Sequence, residues 1–294
     1  MPIDYRQIKD YPFPEVRQTY QDRDTMLYAL SLGVGQDPMD PAALAYVYEG
    51  SPGGLRVLPT QAVVLGHPGF WIQDPALGID WVKVLHGEQR LHMHRPLPPA
   101  ATLIGRNRVT RLIDKGEGKG ALIVVERRLE DEAGTLYATV ESVTFCRGDG
   151  GYSQARGGQP SDEPPTPLQA TPEDRAPDQV DDQPIRPEAA LIYRLLADRN
   201  PLHADPGVAR KAGFERPILH GLAGYGLACR AVLRRCAGDD PTRLRSFQLR
   251  FASPMYPGET LRTEMWVDGS TVRFRARMVE RNVVVLSHGT ATLA

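Results

Sequence analysis

Leu219-His220-Gly221-Leu222-Ala223-Gly224-Tyr225-Gly226-Leu227-Ala228 is largely apolar yet carries three glycines. Gly inside a helix costs about 1 kcal/mol relative to Ala, so this density implies that something packs very close to the backbone here. A tightly curved sheet wrapped round a central helix meets that demand. The first turn of such a helix has unpaired N–H groups and a partial positive charge. Gly221 has no side chain to keep a ligand oxygen away from them. The glycine spacing is the reverse of the dinucleotide fingerprint G-x-G-x-x-G, and no acidic residue stands in the right context about 20 residues on. A nucleotide loop is therefore excluded.

Upstream lies Asp198-Arg199-Asn200-Pro201-Leu202-His203. From Glu188 the chain reads EAALIYRLLAD, with Leu191, Ile192, Leu195 and Leu196 at three- and four-residue spacing, which predicts a helix delivering Asp198 at its last turn. Pro201 cannot join that helix and pushes Asn200 toward an extended conformation. The chain must turn before His203, so a carboxylate and an imidazole can face one small volume. Alone, these residues read equally well as an ordinary helix end with Asp198 and Asn200 as turn formers. Pro217-Ile218-Leu219-His220-Gly221 adds the backbone donor that completes an acid, a base and an oxyanion site.

Composition excludes several classes. A chain of 294 residues with 41% hydrophobic content can hold one large domain or two of about 150 residues. Its net charge of -1 and pI of about 6.7, with charges scattered, give no basic field for nucleic acid. Cys146, Cys229 and Cys236 form neither a C-x-x-C nor a zinc spacing, which suits packed thiols in a reducing compartment. Met1-Pro2-Ile3-Asp4-Tyr5 shows no signal peptide, no apolar run approaches a membrane span, and Ala291-Thr292-Leu293-Ala294 is not a peroxisomal address. The expectation is a soluble cytoplasmic protein with no nucleic-acid or membrane partner.

Eight prolines between Pro160 and Pro187 mark the boundary. Their surroundings are too polar to fold alone, so 148–187 reads as a long crossing linker, partly disordered. It separates a first domain, 1–147, from a second, 188–294, with 176–187 as the candidate place for the second domain's first strand. The halves match each other. Arg95 to Leu103 aligns with Ser253 to Leu261 at an offset of 158, with Pro, an apolar residue, Pro, Thr and Leu coinciding. Leu58-Pro59-Thr60 falls on Arg216-Pro217-Ile218, and with a small indel Leu27-Tyr28-Ala29-Leu30 falls on Ile192-Tyr193-Arg194-Leu195. An internal duplication follows.

Alternating Val, Thr, Phe and charged residues predict strands at 45–49, 84–94, 102–114, 121–130 and 136–146, then at 243–251, 260–268, 271–280 and 283–293. Helix first, then an antiparallel meander, is an α+β order. The expected architecture is a sheet wrapped round a helix, twice. The chemistry is unequal. Where the second half has His220-Gly221 the first has Ala62-Val63, and near the counterpart of Asp198 it reads Ser31-Leu32-Gly33-Val34-Gly35. Two metal sets can be drawn, His92 with His94 on one strand face and His203, Asp205 and His220, but neither is favoured.

These stretches resemble the two-domain hydratase 2 enzymes, R-specific 2-enoyl-CoA hydratases of the MaoC-like, double hot-dog group. The resemblance rests on Leu195 to His203, Ala212-Gly213-Phe214, Pro217 to Leu222, Arg250-Phe251-Ala252 and Tyr256-Pro257-Gly258 in the second half. In the first it rests on Arg23 to Leu30, Tyr46-Val47-Tyr48-Glu49, Leu58-Pro59-Thr60 and Leu85 to Gln89. It covers nearly the whole chain except the linker. It implies a double hot-dog fold, a homodimer, an acyl-CoA thioester as substrate, and reversible syn addition of water to a trans-2-enoyl-CoA, giving an (R)-3-hydroxyacyl-CoA. Asp198 and His203 would be the catalytic pair, Asn200 a site-orienting residue, and the Gly221 N–H the thioester-oxygen donor. His86, Gly87, Lys115 and Phe251 would touch acyl-CoA. From the residues alone, Lys115 is a solvated hairpin charge, His86-Gly87 a strand bulge and Phe251 a core residue with one edge toward ligand. No metal or organic cofactor is expected, since CoA belongs to the substrate. A hot-dog acyl-CoA thioesterase and a non-catalytic acyl-CoA-binding subunit are the competing classes.

Overall fold

Alternating β-branched and charged residues form pleated surfaces that bury one face. In the computed structural model, which describes residues 3–155, 157–196 and 198–294, such runs make ten strands. These are β1 (Val16–Tyr20), β2 (Val84–Met93), β3 (Ala101–Asp114), β4 (Ala121–Glu130), β5 (Leu136–Cys146), β6 (Gln179–Pro184), β7 (Leu244–Phe251), β8 (Thr260–Asp268), β9 (Thr271–Met278) and β10 (Val283–Leu293). The helices are α1 (Tyr5–Lys9), α2 (Asp22–Ser31), α3 (Pro41–Leu44), α4 (Ala189–Tyr193), α5 (Pro206–Lys211) and α6 (Gly221–Cys236).

The strands form one sheet in the order β1-β3-β4-β5-β2-β7-β10-β9-β8-β6. Read outward from the middle, the two halves have the same order, which is the duplication in three dimensions. They meet along β2 and β7, paired antiparallel from Glu88↔Arg250 to His92↔Ser246. Glu88 reinforces the seam, accepting from Arg250 at 2.7 Å and Arg90 at 2.9 Å.

The sheet wraps α6, whose residues Ala223 to Cys229 and Ala231 to Leu233 are buried. Tyr225 donates its hydroxyl to the Phe247 carbonyl of β7 at 2.6 Å. The helix glycines have the expected close neighbours, and these are side chains: Phe251 at Gly221, Met255 at Gly224, and Leu32 with Tyr28 from the first half at Gly226. One core cluster runs through both halves as a result. The first half keeps only a 3-10 turn, Pro59–Val63, where the second has α6. The buried Arg127 guanidinium takes the Val63 carbonyl at 2.6 Å. The chain then crosses β3 so closely that a Cβ on Gly105 would lie 2.7 Å from the Gly66 Cα.

Four details depart from the sequence reading. Residues 45–49 are not a strand: turn bonds such as Tyr46 N–H to Ala43 O continue from α3, and their apolar alternation comes from docking Tyr46 on the end of α6, its hydroxyl 3.1 Å from the Asp239 carbonyl. The helix drawn through to Asp198 stops at Tyr193. Leu195 and Leu196 make three-residue bonds back to Ile192 and Tyr193, so the helix tightens and ends before the Asx turn at Asp198 takes over. Ala197 lies outside the described residues. Strand β1 escaped notice because Gln18 and Thr19 blunt its alternation; β6, by contrast, falls within 176–187, the candidate place for the second domain's first strand, inside the 148–187 stretch. That stretch leaves β5 and is tied down on the way: Asp162 accepts from Lys9 at 2.6 Å, Tyr5 at 2.8 Å and the Leu112 N–H at 2.8 Å, and the Arg175 carbonyl accepts from the Trp266 indole at 3.1 Å.

Candidate active site

Asp198 turns the chain with its own side chain, Oδ1 accepting the Asn200 N–H at 2.8 Å. Asn200 caps the next turn, Pro201–His203, its Oδ1 accepting the Leu202 N–H at 3.0 Å. Asn200 therefore shapes the loop through its carbonyl oxygen. The turn swings His203 inward, where its side chain is 10% exposed, while Asp198 stays 58% exposed at the mouth. His203 Nδ1–H donates to the Ile218 carbonyl at 2.9 Å, and that bond fixes the tautomer with a bare lone pair on Nε2. Nε2 lies 3.8 Å from Asp198 Oδ2. This is too long for a hydrogen bond, yet a water about 2.8 Å from each atom would donate one hydrogen to each.

Beneath them His220 lies flat against His203, ring centroids 3.7 Å apart. Its Nε2–H donates to the Asp198 carbonyl at 2.9 Å, so one imidazole clamps the loop that carries the other. Burial pulls both imidazoles below the usual histidine range, His220 to about 4, with His203 adding to the effect on it. Both are neutral at ordinary pH. Tyr193 closes the far side 4.9 Å from His220. The hydroxyls of Tyr193 and Tyr28 and Nδ1 of His220 are buried with no partner among the described residues.

Helix α6 starts immediately after His220, which makes no side-chain cap. No carbonyl among the described residues receives the Gly221 N–H. A Cβ at 221 would sit 3.2 Å from the Phe251 ring, so glycine lets Phe251 lie against the helix end. His86 packs on Phe251 at 4.7 Å between centroids. Its ring is exposed to solvent, and desolvation by the protein packed around it lowers its pKa from the usual histidine value. Gly87 is the extra residue of a β-bulge between His86↔Thr144 and Glu88↔Val143. Lys115 sits in the β3–β4 turn with its ammonium 5.5 Å over the Phe145 ring, and Phe145 pairs with Leu85 beside the bulge. Phe251 thus adjoins Gly221, His86 packs on Phe251 with Gly87 next in the chain, and Lys115 reaches the bulge through Phe145.

Among the described residues, the three-group cluster within ligand reach is Asp198, His203 and His220, with atoms within 4.8 Å of one another. Asp205 leaves the set drawn from the sequence, because its carboxylate caps α5 through the Gly207 and Val208 N–H groups. His92 and His94 touch edge to face at 4.6 Å, and no third group joins them there. His220 is the site residue that sequence reasoning missed as such. Its signals were adjacency to Gly221 and its place in a metal set drawn with His203 and Asp205.

The double hot-dog sheet thus brings a carboxylate, a neutral imidazole and free helix-end N–H groups into one niche. Residues 18–148 match the MFE-2 hydratase 2 N-terminal domain and residues 169–288 the MaoC like domain. The chain is 40% identical to enoyl-CoA hydratase ChsH3 of Mycobacterium tuberculosis, over 98% of each chain. It is 39% identical to the peroxisomal enoyl-CoA hydratase 2 of Arabidopsis thaliana, over 94% of this chain and 91% of that one. The crystal structure of a MaoC-like dehydratase from Phytophthora capsici superposes with a TM-score of 0.85 at 32% identity, covering 99% of both chains. The chain belongs to the MaoC-like hydratase 2 family. Among the described residues, no helix is long and apolar enough to cross a membrane.

Proposed function

We propose that this protein catalyses the reversible syn hydration of trans-2-enoyl-CoA to (R)-3-hydroxyacyl-CoA. The observation that carries the reading is the approach of Asp198 Oδ2 to 3.8 Å from the bare Nε2 of His203, whose ring stacks on His220, the residue immediately before the unpaired N–H of Gly221. A water that donates to both acceptors keeps an oxygen lone pair for C3 of the enoyl group. As the C3–O bond forms, the thioester oxygen gains charge, and the Gly221 N–H with the positive end of α6 stabilises it. The proton leaving the water is received by the Asp198–His203 pair and delivered to C2 on the same face, which is syn addition. No metal or organic cofactor enters these steps. The family resemblance supports the R configuration, the CoA contacts of His86, Gly87, Lys115 and Phe251, and a homodimer.

The test is loss of crotonyl-CoA absorbance, with chiral analysis of the product across enoyl-CoAs of increasing length. D198N and H203Q are each expected to lower turnover by about 100-fold or more, with CoA binding nearly intact and with activity of the parent surviving a chelator. Near-parental turnover in either folded variant rejects the assignment. Release of free CoA thiol from saturated acyl-CoA would establish a thioesterase instead.

A further inference from the structure

The β2–β7 ladder has two ends. At one, His86 and Phe251 adjoin the candidate site; at the other lies a second cavity of about 180 Å³. Its apolar wall includes Val57, Met93, Leu97 and Leu244, and three arginines, Arg56, Arg95 and Arg245, are among its lining residues. The internal repeat makes this cavity the image of the active-site mouth. At the offset of 158, Met93 answers to Phe251, Pro59 to Pro217 and Arg245 to Gly87. The backbone agrees. Arg245 occupies a bulge between Leu244↔Leu293 and Ser246↔Thr292, as Gly87 does between His86 and Glu88.

The image has lost the acid, the base and the helix end, and it has gained cation. None of the three arginines forms an ion pair among the described residues; Arg56 donates to the Asp239 carbonyl at 2.9 Å. Asp240 is the one carboxylate in the lining, and its Oδ1 is engaged by the Thr242 N–H at 2.9 Å and hydroxyl at 2.7 Å. Arg56 already lies beside the Asp239 and Asp240 carboxylates, so the forks of Arg95 and Arg245 are the ones left to call for a ligand with more than one negative charge, and planar forks match phosphate oxygens in pairs. The space equals about six waters at roughly 30 Å³ each, enough for a pair of phosphates.

We propose that this cavity is a non-catalytic binding pocket for a diphosphate-bearing ligand. The ligand's source is either the diphosphate of a second coenzyme A molecule or a free polyphosphate. The proposal and its pyrophosphate test do not depend on the hydratase reading; only the coenzyme count assumes a first coenzyme at the candidate site.

Titration calorimetry of the full chain with inorganic pyrophosphate tests it. Binding is expected in the parent, weakened about tenfold or more in R95Q/R245Q and in R245Q alone, and retained in K115Q at the opposite end. Both arginines are exposed, so the variants should keep the parental melting temperature. Absence of binding in the parent, or equal affinity in R95Q/R245Q, overturns the proposal. Coenzyme A titrated in parallel separates the sources: two equivalents per chain falling to one in R95Q/R245Q identify the coenzyme, and one equivalent in both identifies free polyphosphate.

Discussion

His220 serves the candidate site without facing its mouth. Its ring backs His203 and its Nε2–H holds the Asp198 carbonyl, so it acts on the distance between the pair. H220F keeps a ring against His203 but removes the donor. Turnover is expected to fall about tenfold with little change in KM, because a small displacement of the pair costs rate more than binding. Unchanged turnover would show that the clamp is only structural. The same residue sets an acid limit on stability. Its folded-state pKa of about 4 lies below the ordinary 6.5, so between those values the unfolded chain binds the extra proton. Stability is therefore full above pH 6.5 and declines as the pH falls toward 4, by about 3 kcal/mol from this residue. Urea midpoints across that window should be flatter in H220F than in the parent. Asp198, His203 and Gly221 were legible in the sequence because they lie within 24 positions and each bears a recognisable chemistry. The clamp was not, since an imidazole meeting a carbonyl 22 residues away leaves no spacing to read.

Close packing separates glycines that look alike in the sequence. A methyl group on Gly105 would collide with the Gly66 backbone, which has nowhere to go. G105A is expected to cost about 1–3 kcal/mol. On Gly224 it would meet only the thioether end of Met255, which can swing aside, and Ala gains about 1 kcal/mol of helix propensity. G224A should therefore lie within about 1 kcal/mol of the parent. Equal losses in urea denaturation would refute this contrast. The long strands and α6 were evident from period-two alternation and from small residues in an apolar run. The five-residue β1 was not, because so short a segment holds too few alternations. Residues 45–49 misled for the opposite reason: their apolar side chains dock on a helix terminus, which repeats no period.

At the scale of the molecule, the halves are unequal partners. Helix α6 belongs by sequence to the second half, yet Gly226 receives Leu32 and Tyr28, and Arg230 donates to the Gly33 carbonyl at 3.3 Å. The first half has one 3-10 turn of its own there. Residues 1–147 expressed alone should aggregate or stay molten, and co-expression with the remainder should restore a cooperative melt. A stable, soluble first half would disprove this dependence.

Synthesis makes the dependence a matter of timing. The last strand of the first half ends at Cys146 and α6 ends at Cys236, so at about 5–20 residues per second a ribosome takes roughly 5–20 s to cover the interval. Through those seconds five strands have emerged with no spine to close on and with open edges. Chaperone demand on the nascent chain should peak there, and anything that slows elongation between the two points should reduce the yield of folded protein more than the same delay placed later.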